Sequence, residues 1–335
     1  MKVIQICDSF GVDAVQLVER PDPAPGPGQV VLKMNAFSIN YRDLLVVNGV
    51  GRWKPSLPRI PLSDGVGIVT ATGDGVARVK VGDRVAPIFY PKWLDGRVAA
   101  EKMGQSLGGA AADGILAEYT LVEEASLVHV PAHLTDEEAA TLPCAGVTAW
   151  SALSTFSDIR SGDCVVVLGT GGVALFTLQF AQLLGARVII TSSSDHKLAR
   201  AKALGAAAGI NYTLTPDWPG AVMELTDGVG ADYVVDTVGG LKDAIAAVRL
   251  GGAVAFVGLL SGMTAELDLV AFMGKCARVE AVDVGSRATF EAMNTAIAFH
   301  GTRPMVDQVF AFDELGTALR YLSEGQHFGK VCLRV

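Results

Sequence analysis

The sequence has no long apolar run. Its most hydrophobic stretches, such as Cys164 to Leu168 and Arg187 to Thr191, are strand-sized, far short of the ~20 apolar residues a bilayer helix requires, so no membrane span is expected. The start, Met1-Lys2-Val3-Ile4-Gln5-Ile6-Cys7-Asp8, has neither an apolar signal core nor a small-residue cleavage site behind it, which predicts a cytoplasmic protein. Cysteine is sparse: Cys7, Cys144, Cys164, Cys276 and Cys332 are odd in number and scattered, a pattern that excludes a disulfide framework and reads as reduced thiols. Basic clusters are missing too. With 27 Lys and Arg against 35 Asp and Glu, the net charge is -8, and nothing reaches the density that a nucleic-acid backbone demands.

What is abundant is apolar and small. Half of the 335 residues are hydrophobic and 38 are Gly, the composition of a compact α/β protein with buried Val/Ile/Ala strands, and the length suits two domains. Up to about Val122 short strand-like runs, among them Val30 to Met34, Gly67 to Ala71, Asp83 to Pro87 and Glu118 to Val122, are cut by Pro and Gly, as in a small β-barrel. Pro21 to Gly28 can hold neither ladder nor helix and reads as a surface turn. Thr135-Asp136-Glu137-Glu138 is a capping box that opens Ala-rich helix. From Asp163, strands (Cys164–Gly169, Arg187–Ser192, Gly209–Tyr212, Ala231–Val238, Ala253–Gly258, Arg278–Val284) alternate with helices over 172–184, 195–204, 217–226 and 241–249, which predicts a doubly wound parallel sheet. The tail carries helical stretches Ala288–His300 and Asp313–Ser323 and a closing strand from Lys330. The expected organisation is a first domain over 1–122, a cofactor domain over 123–285, and a return to the first domain over 286–335.

Gly169-Thr170-Gly171-Gly172-Val173-Ala174 follows a strand directly and opens a helix. Glycines alone would mark a turn; between strand and helix they make a dinucleotide loop, in which the backbone approaches the pyrophosphate and the helix N-terminus favours its charge. An NAD-preferring site places an acid at the end of the second strand. Here that end reads Thr191-Ser192-Ser193-Ser194 with Lys197 beyond, hydroxyls and a cation that suit a 2′-phosphate. Asp195 opposes this in charge but is equally explained as a first-turn acid of the next helix. The cofactor expected is NADP(H).

At this point the chain resembles the medium-chain dehydrogenase/reductase superfamily over essentially its whole length, and most closely its zinc-free quinone-oxidoreductase-like and alcohol-dehydrogenase-like members. The matching segments are Ser38-Ile39-Asn40-Tyr41-Arg42-Asp43, Gly82-Asp83-Arg84-Val85, Leu142 to Trp150, the glycine loop, Ile210-Asn211-Tyr212 and Phe328-Gly329-Lys330. The resemblance implies a Rossmann domain inserted into a GroES-like β-barrel substrate domain. It also implies a 2′-phosphate clamp of Lys197 and Tyr212 with Ser192 and Ser193, Asn40 and Thr148 beside the nicotinamide, and Val257-Gly258-Leu259 along its carboxamide. Ser286 and Arg287 are placed near the cofactor, and Lys330 either reaches it or is a solvated lysine on a terminal strand.

The departures are informative. Zinc-dependent relatives hold the metal at positions that correspond here to Asn40, Asp64 and Cys144, and Asn is a poor zinc ligand. No two cysteines lie within ten residues, so a structural zinc lobe is absent as well. His129 and His133 flank Pro131 and read as surface or edge histidines. No metal is expected.

Without zinc, hydride goes most readily to a carbon whose product delocalises negative charge. A quinone or α,β-unsaturated carbonyl meets that need, with Asn40, Tyr41 and Tyr90 as candidate catalytic residues. Asp43 and Asp64, if beside Arg42 or Arg84, read as structural before proton-donating. Phe89 to Leu94 is expected to wall the substrate pocket and Asp95 to Asp113 to form a loop over it. A zinc-free NADP(H)-dependent alcohol dehydrogenase or ketone reductase is the alternative, and a non-enzymatic NADPH-binding protein the alternative of another class. The strand Arg278–Val284 offers an edge for a homodimer.

Overall fold

The computed structural model describes residues 1–155 and 157–335. They divide into two compact units, Met1–Val147 with Gly285–Val335, and Thr148–Val284.

The first unit opens with β1 (Lys2–Ile6), β2 (Val15–Glu19), β3 (Gln29–Ile39), β4 (Asp64–Thr72), β5 (Arg84–Pro87), β6 (Tyr119–Glu123) and β7 (Leu127–His129). The second unit holds β8 (Cys164–Leu168), β9 (Arg187–Ser192), β10 (Ala208–Asn211), β11 (Ala231–Asp236), β12 (Val248–Phe256) and β13 (Arg278–Ala281), and the returning segment adds β14 (Val306–Ala311) and β15 (Lys330–Arg334) to the first.

β3 is the spine of the first unit. One of its edges pairs antiparallel with β4; along the other, β6 takes residues 29–33 and β15 takes 36–39. The sheet runs β14-β15-β3-β4-β5-β7 with β6 on β3. Its Val, Leu, Met and Phe side chains form one core with Ile115, Leu116 and Leu127. The register Val331↔Ile39 and Ser38↔Asp64 brings the start of β15, the end of β3 and the start of β4 to one edge.

The second unit is a six-stranded parallel sheet in the order β10-β9-β8-β11-β12-β13, which counted from β8 is 3-2-1-4-5-6, the order of a dinucleotide-binding sheet. Helices Gly172–Leu183, Asp195–Ala203, Trp218–Leu225 and Leu241–Ala247 link its strands. β8 is buried throughout, as a central parallel strand covered on both faces must be.

The boundary expected at 122/123 falls instead at 147/148. β7 pairs with β5, and the helix Asp136–Ala140 packs on β3 and β4, its capping box formed as anticipated, with Thr135 and Glu138 exchanging bonds of 2.8 and 3.2 Å. β12 begins at Val248, so the preceding helix stops at Ala247, earlier than its sequence pattern suggests; Val248 is fully buried and pairs with Ala231. β14 and the helix Leu269–Lys275 were not anticipated. Their burial is slight, so neither carries the apolar period that reveals an element.

Candidate active site

In the second unit, most of the residues expected to meet a cofactor gather at the C-terminal ends of β8, β9, β11 and β12, where the strand order reverses. Gly169 leaves β8 with φ +89°, a conformation that favours glycine, and its N–H donates to the Thr191 carbonyl (3.1 Å). Gly171 is the N-cap of the helix Gly172–Leu183 and supplies no side-chain cap, so that helix terminus keeps its backbone donors for a ligand. Beside it, Thr237 donates to the Leu168 carbonyl. Buried Asp236 accepts from the N–H groups of Val238 (3.0 Å) and Gly239 (2.7 Å). Burial raises the Asp236 pKa against those bonds, and its Oδ2 has no partner. The Val257 and Gly258 N–H groups both donate to the Asp236 carbonyl (2.9 and 3.0 Å). A Cβ on Gly258 would lie 1.8 Å from the Thr237 carbonyl oxygen, so this approach admits only glycine.

At the end of β9, Ser192 is buried and Ser193 exposed, and the Tyr212 N–H donates to the Ser192 carbonyl (3.1 Å), placing Tyr212, 43% exposed, beside the serines. Ser194 caps the next helix by accepting from the Lys197 N–H (3.4 Å). Asp195 is a first-turn acid there and accepts from Asn211 Nδ2 (2.8 Å). Thr148 is buried and its hydroxyl donates to the Asp283 carbonyl (3.0 Å).

In the first unit, the shared sheet edge carries Asn40, Asp64 and Lys330. Asn40 ends β3 and caps the helix Tyr41–Val47; its N–H donates to Asp43 Oδ2 (2.7 Å). Lys330 is 4% exposed, not a solvated lysine, and its ammonium donates to the Ile39 carbonyl (2.6 Å) and to Asn40 Oδ1 (2.5 Å). Asn40 Nδ2 is buried and makes no hydrogen bond of good geometry. Asp64, fully buried, accepts from the Ser63 hydroxyl (2.6 Å) and from the Cys144 N–H (3.0 Å). Asp43, also fully buried, lies 3.3 Å from Arg42 Nε. That guanidinium stacks 4.5 Å over the Phe89 ring and holds Ser106 Oγ (3.1 Å) and the Leu107 carbonyl. Arg84 pairs with Asp136 (2.6 Å) rather than with Asp43 or Asp64.

Burial dominates the electrostatics. It lifts Asp64 from 3.8 to about 6, against the pull of Lys330, the Ser63 hydroxyl and the Asn40 amide. It lifts Asp43 as well, against Arg42. The Cys144 thiol is pushed well above its ordinary value, by burial and then by Asp64, so it stays neutral.

Tyr41 is 39% exposed at the start of its helix, whereas Tyr90 is buried, its ring edge-on to Phe89 (4.8 Å) and 6.4 Å from Trp93. Ser286 caps the helix Arg287–His300 by accepting from the Thr289 N–H (3.1 Å), and Arg287 Nη1 donates to the Ala125 carbonyl (2.7 Å). Both side chains are thus occupied within the first unit. The stretch from Asp95 to Asp113 contains the short helix Ala100–Met103 and is anchored where Asp113 accepts from the Ile60 N–H (3.0 Å). Sequence reasoning missed Asp236 and Thr237, although their place at the end of the strand beside the glycine loop was the available signal.

Residues 26–132 match the family model for the alcohol dehydrogenase GroES-like domain and residues 172–299 that for zinc-binding dehydrogenase. A zinc-type alcohol dehydrogenase-like protein of Schizosaccharomyces pombe is 40% identical over 318 residues, 92% of this chain and 91% of its own. The crystal structure of an NAD-dependent alcohol dehydrogenase superposes with a TM-score of 0.92 at 34% identity, covering 100% of both chains. A Pseudomonas syringae quinone oxidoreductase does so at 0.84 and 28%, covering 100% of this chain and 99% of the other. With the strand order, the glycine loop and both family models in agreement, the chain belongs to the medium-chain dehydrogenase/reductase superfamily of oxidoreductases and has the nicotinamide-cofactor fold of that superfamily.

Proposed function

We propose that the protein is a zinc-independent, NADPH-dependent reductase of quinones or α,β-unsaturated carbonyls. The Asn40 side chain carries this reading. An ammonium can only donate, so the amide must present Oδ1 to Lys330 and direct its NH2 elsewhere. That NH2 lies close enough to Asp64 to lower its pKa but makes no well-aligned bond with it; an amide NH2 carries two N–H bonds, and a developing enolate or quinone oxyanion is an acceptor for the one that Asp64 does not take. When bound, the reduced nicotinamide supplies the hydride. Asn40 then holds the substrate oxygen, and Tyr41 or Tyr90 returns the proton; the Tyr41 hydroxyl makes no hydrogen bond among the described residues.

The cradle in the second unit fits a dinucleotide: an uncapped helix terminus, and at Gly258 a glycine that nothing larger can replace. Gly169 to Val173 would hold the pyrophosphate, Thr148 and Val257 to Leu259 the nicotinamide end. The 2′-phosphate falls to Ser192, Ser193, Lys197 and Tyr212, since Asp195 is engaged with Asn211. Ser286 and Arg287 are proposed as more distant cofactor neighbours.

A zinc ion does not fit Asn40, Asp64 and Cys144. The amide oxygen is held by an ammonium, both Asp64 oxygens accept from protein donors, and Lys330 already supplies the positive charge.

A second reading, a zinc-free NADP(H)-dependent alcohol dehydrogenase or ketone reductase, is favoured by Asp64, a buried carboxyl that exchanges its proton near pH 6. The deciding experiment follows NADPH absorbance with chelator-treated protein against quinones, enones, aldehydes and ketones, with NADH alongside. Turnover of quinones or enones is expected. Turnover of simple carbonyls alone selects the second reading, tight NADPH binding with no acceptor at all selects a non-enzymatic role, and loss of activity on chelation refutes zinc independence. Ser193→Asp is expected to lower kcat/KM for NADPH by about tenfold or more while sparing NADH.

The proposed assembly is a cytoplasmic homodimer. Among the described residues β13 pairs on one side only, with β12, and the preceding helix, Leu269–Lys275, packs Phe272 on the core while exposing Val270 (82%) and Met273 (75%). A groove of about 540 Å³ lined by Met223, Val229, Leu250 and Ala271 adjoins that helix. A second copy covering this apolar surface accounts for it. Light scattering at micromolar concentration should give twice the chain mass. Among the described residues no helix is long and apolar enough to cross a membrane.

A further inference from the structure

We propose that Lys330 is a positioning residue for the reduction: its ammonium, clamped on the Asn40 amide oxygen and the Ile39 carbonyl, turns the Asn40 NH2 toward the substrate oxygen and serves as the fixed cation of the site. This rests on the reading above, in which Asn40 is the donor.

Three features build the clamp. The register Val331↔Ile39 delivers Lys330 to the end of β3, next to Asn40. Gly329, at φ +93°, turns the chain into β15 so closely under Met305 that a Cβ would lie 2.3 Å from the Met305 carbonyl oxygen, while the Lys330 N–H donates to that same carbonyl (2.9 Å). The lysine backbone is therefore fixed before its side chain enters the site. On the other side, the Asn40 backbone is held by Asp43, and Asp43 by Arg42, which leaves the rotation of the Asn40 amide as the remaining freedom. Lys330 settles it.

A buried ammonium needs compensation. A lysine present only for stability would direct its donors at the neighbouring carboxylates. Both hydrogen bonds instead go to neutral oxygens, with Asp64 and Asp43 close enough to feel the charge without receiving those bonds. The geometry spends the cation on orientation.

The test uses the full-length protein with NADPH and a quinone acceptor, together with the variants Lys330→Met, Lys330→Arg and Asn40→Asp. Lys330→Met, which keeps the stem and removes the donors, is expected to lower kcat about 100-fold, the scale of a misaimed oxyanion donor. Quinone KM and the NADPH Kd from nicotinamide fluorescence should stay within about threefold, because uniform binding is untouched. Lys330→Arg should recover part of the lost kcat. An NADPH Kd that weakens in step with kcat would make Lys330 a cofactor residue and overturn the proposal, as would a Lys330→Met variant with wild-type kcat. If Lys330→Met does not fold, Asn40→Asp decides: it keeps an acceptor for Lys330 but removes the NH2 donor, so kcat per folded protein should fall about 100-fold, and retention of kcat overturns the clamp. If the wild type reduces no acceptor, the substrate reading fails separately. The clamp is then judged by the Asn40 side-chain NH2 signal in a 15N spectrum, which Lys330→Met must shift; an unmoved signal overturns it.

Discussion

Replacing Asp64 with Asn should make the protein relatively more stable at neutral pH than at pH 4. Burial lifts the folded-state pKa of Asp64 from 3.8 to about 6, whereas the unfolded chain keeps the ordinary value. The gap is about two pH units at ~1.4 kcal/mol each, so the ionised carboxylate costs the folded state about 3 kcal/mol relative to the unfolded chain. Between pH 4 and 6 the unfolded chain releases a proton that the folded protein retains. Stability from this group therefore falls as pH rises through that window and is level above it. The amide of the Asp64→Asn variant would stay neutral in both states and contribute no slope. Its oxygen can accept the Cys144 N–H, and the Ser63 hydroxyl can rotate to accept from its NH2, so both hydrogen bonds survive. Lys330 loses a counter-charge only where wild-type Asp64 is ionised, above about pH 6, and its pull on that carboxylate is already contained in the value of about 6, so it adds no separate slope. Urea unfolding of both proteins at pH 4, 5, 6 and 7, with equal m-values and constant ionic strength, should show the difference in unfolding free energy moving by about 2.4 kcal/mol in favour of the variant, since at pH 4 the unfolded carboxyl is already partly ionised. A difference that is the same at pH 4 and pH 7 would refute the buried-carboxylate account.

Gly258→Ala should weaken NADPH binding by about tenfold or more and lower the melting temperature by several degrees, because its Cβ can avoid the Thr237 carbonyl, 1.8 Å away, only if the backbone at the end of β11 or β12 moves. Fluorescence titration and a thermal melt check both. Val270→Asp, which places a carboxylate on the most exposed apolar position of its helix, should convert a dimer to monomers in light scattering while leaving NADPH affinity within about twofold. An unchanged mass would remove that helix from the interface.

The Rossmann unit was legible because its signals are local. β8 and β9 are Val/Ile runs ended by Gly169 and Ser192, each followed by a helix within a few residues, and through the rest of the unit the observed bounds differ from the expected ones by no more than three residues at most positions. β12 is the exception, since Val248 leaves the helical pattern only because β11 lies alongside it. β14 and the helix Leu269–Lys275 each turn little more than one partly buried aromatic, Phe310 and Phe272, toward a core and so had little periodicity to show. The late boundary at Val147 has a similar cause: β7 is three residues long, and its membership in the first sheet depends on β5, a partner more than 40 residues earlier that no local pattern announces.

Lys330 shows most clearly what a sequence of this kind withholds. Beside Gly329, near the end of the chain, a lysine reads as solvated or as reaching for a cofactor phosphate, because long-range register is invisible in one strand. Only the pairing of β15 with β3 puts its ammonium against Asn40, and only the pairing of β3 with β4 puts Asp64 at the same edge. The positions that resemble zinc ligands were identifiable from the family likeness. Their chemistry was not, since it depends on which of two amide atoms faces a cation. That choice follows from the donor-only character of the ammonium, and it turns an asparagine that is a poor metal ligand into a directed hydrogen-bond donor. A substitution at residue 330 should therefore act on hydride acceptance through residue 40, about 290 positions away in sequence and one hydrogen bond away in the fold.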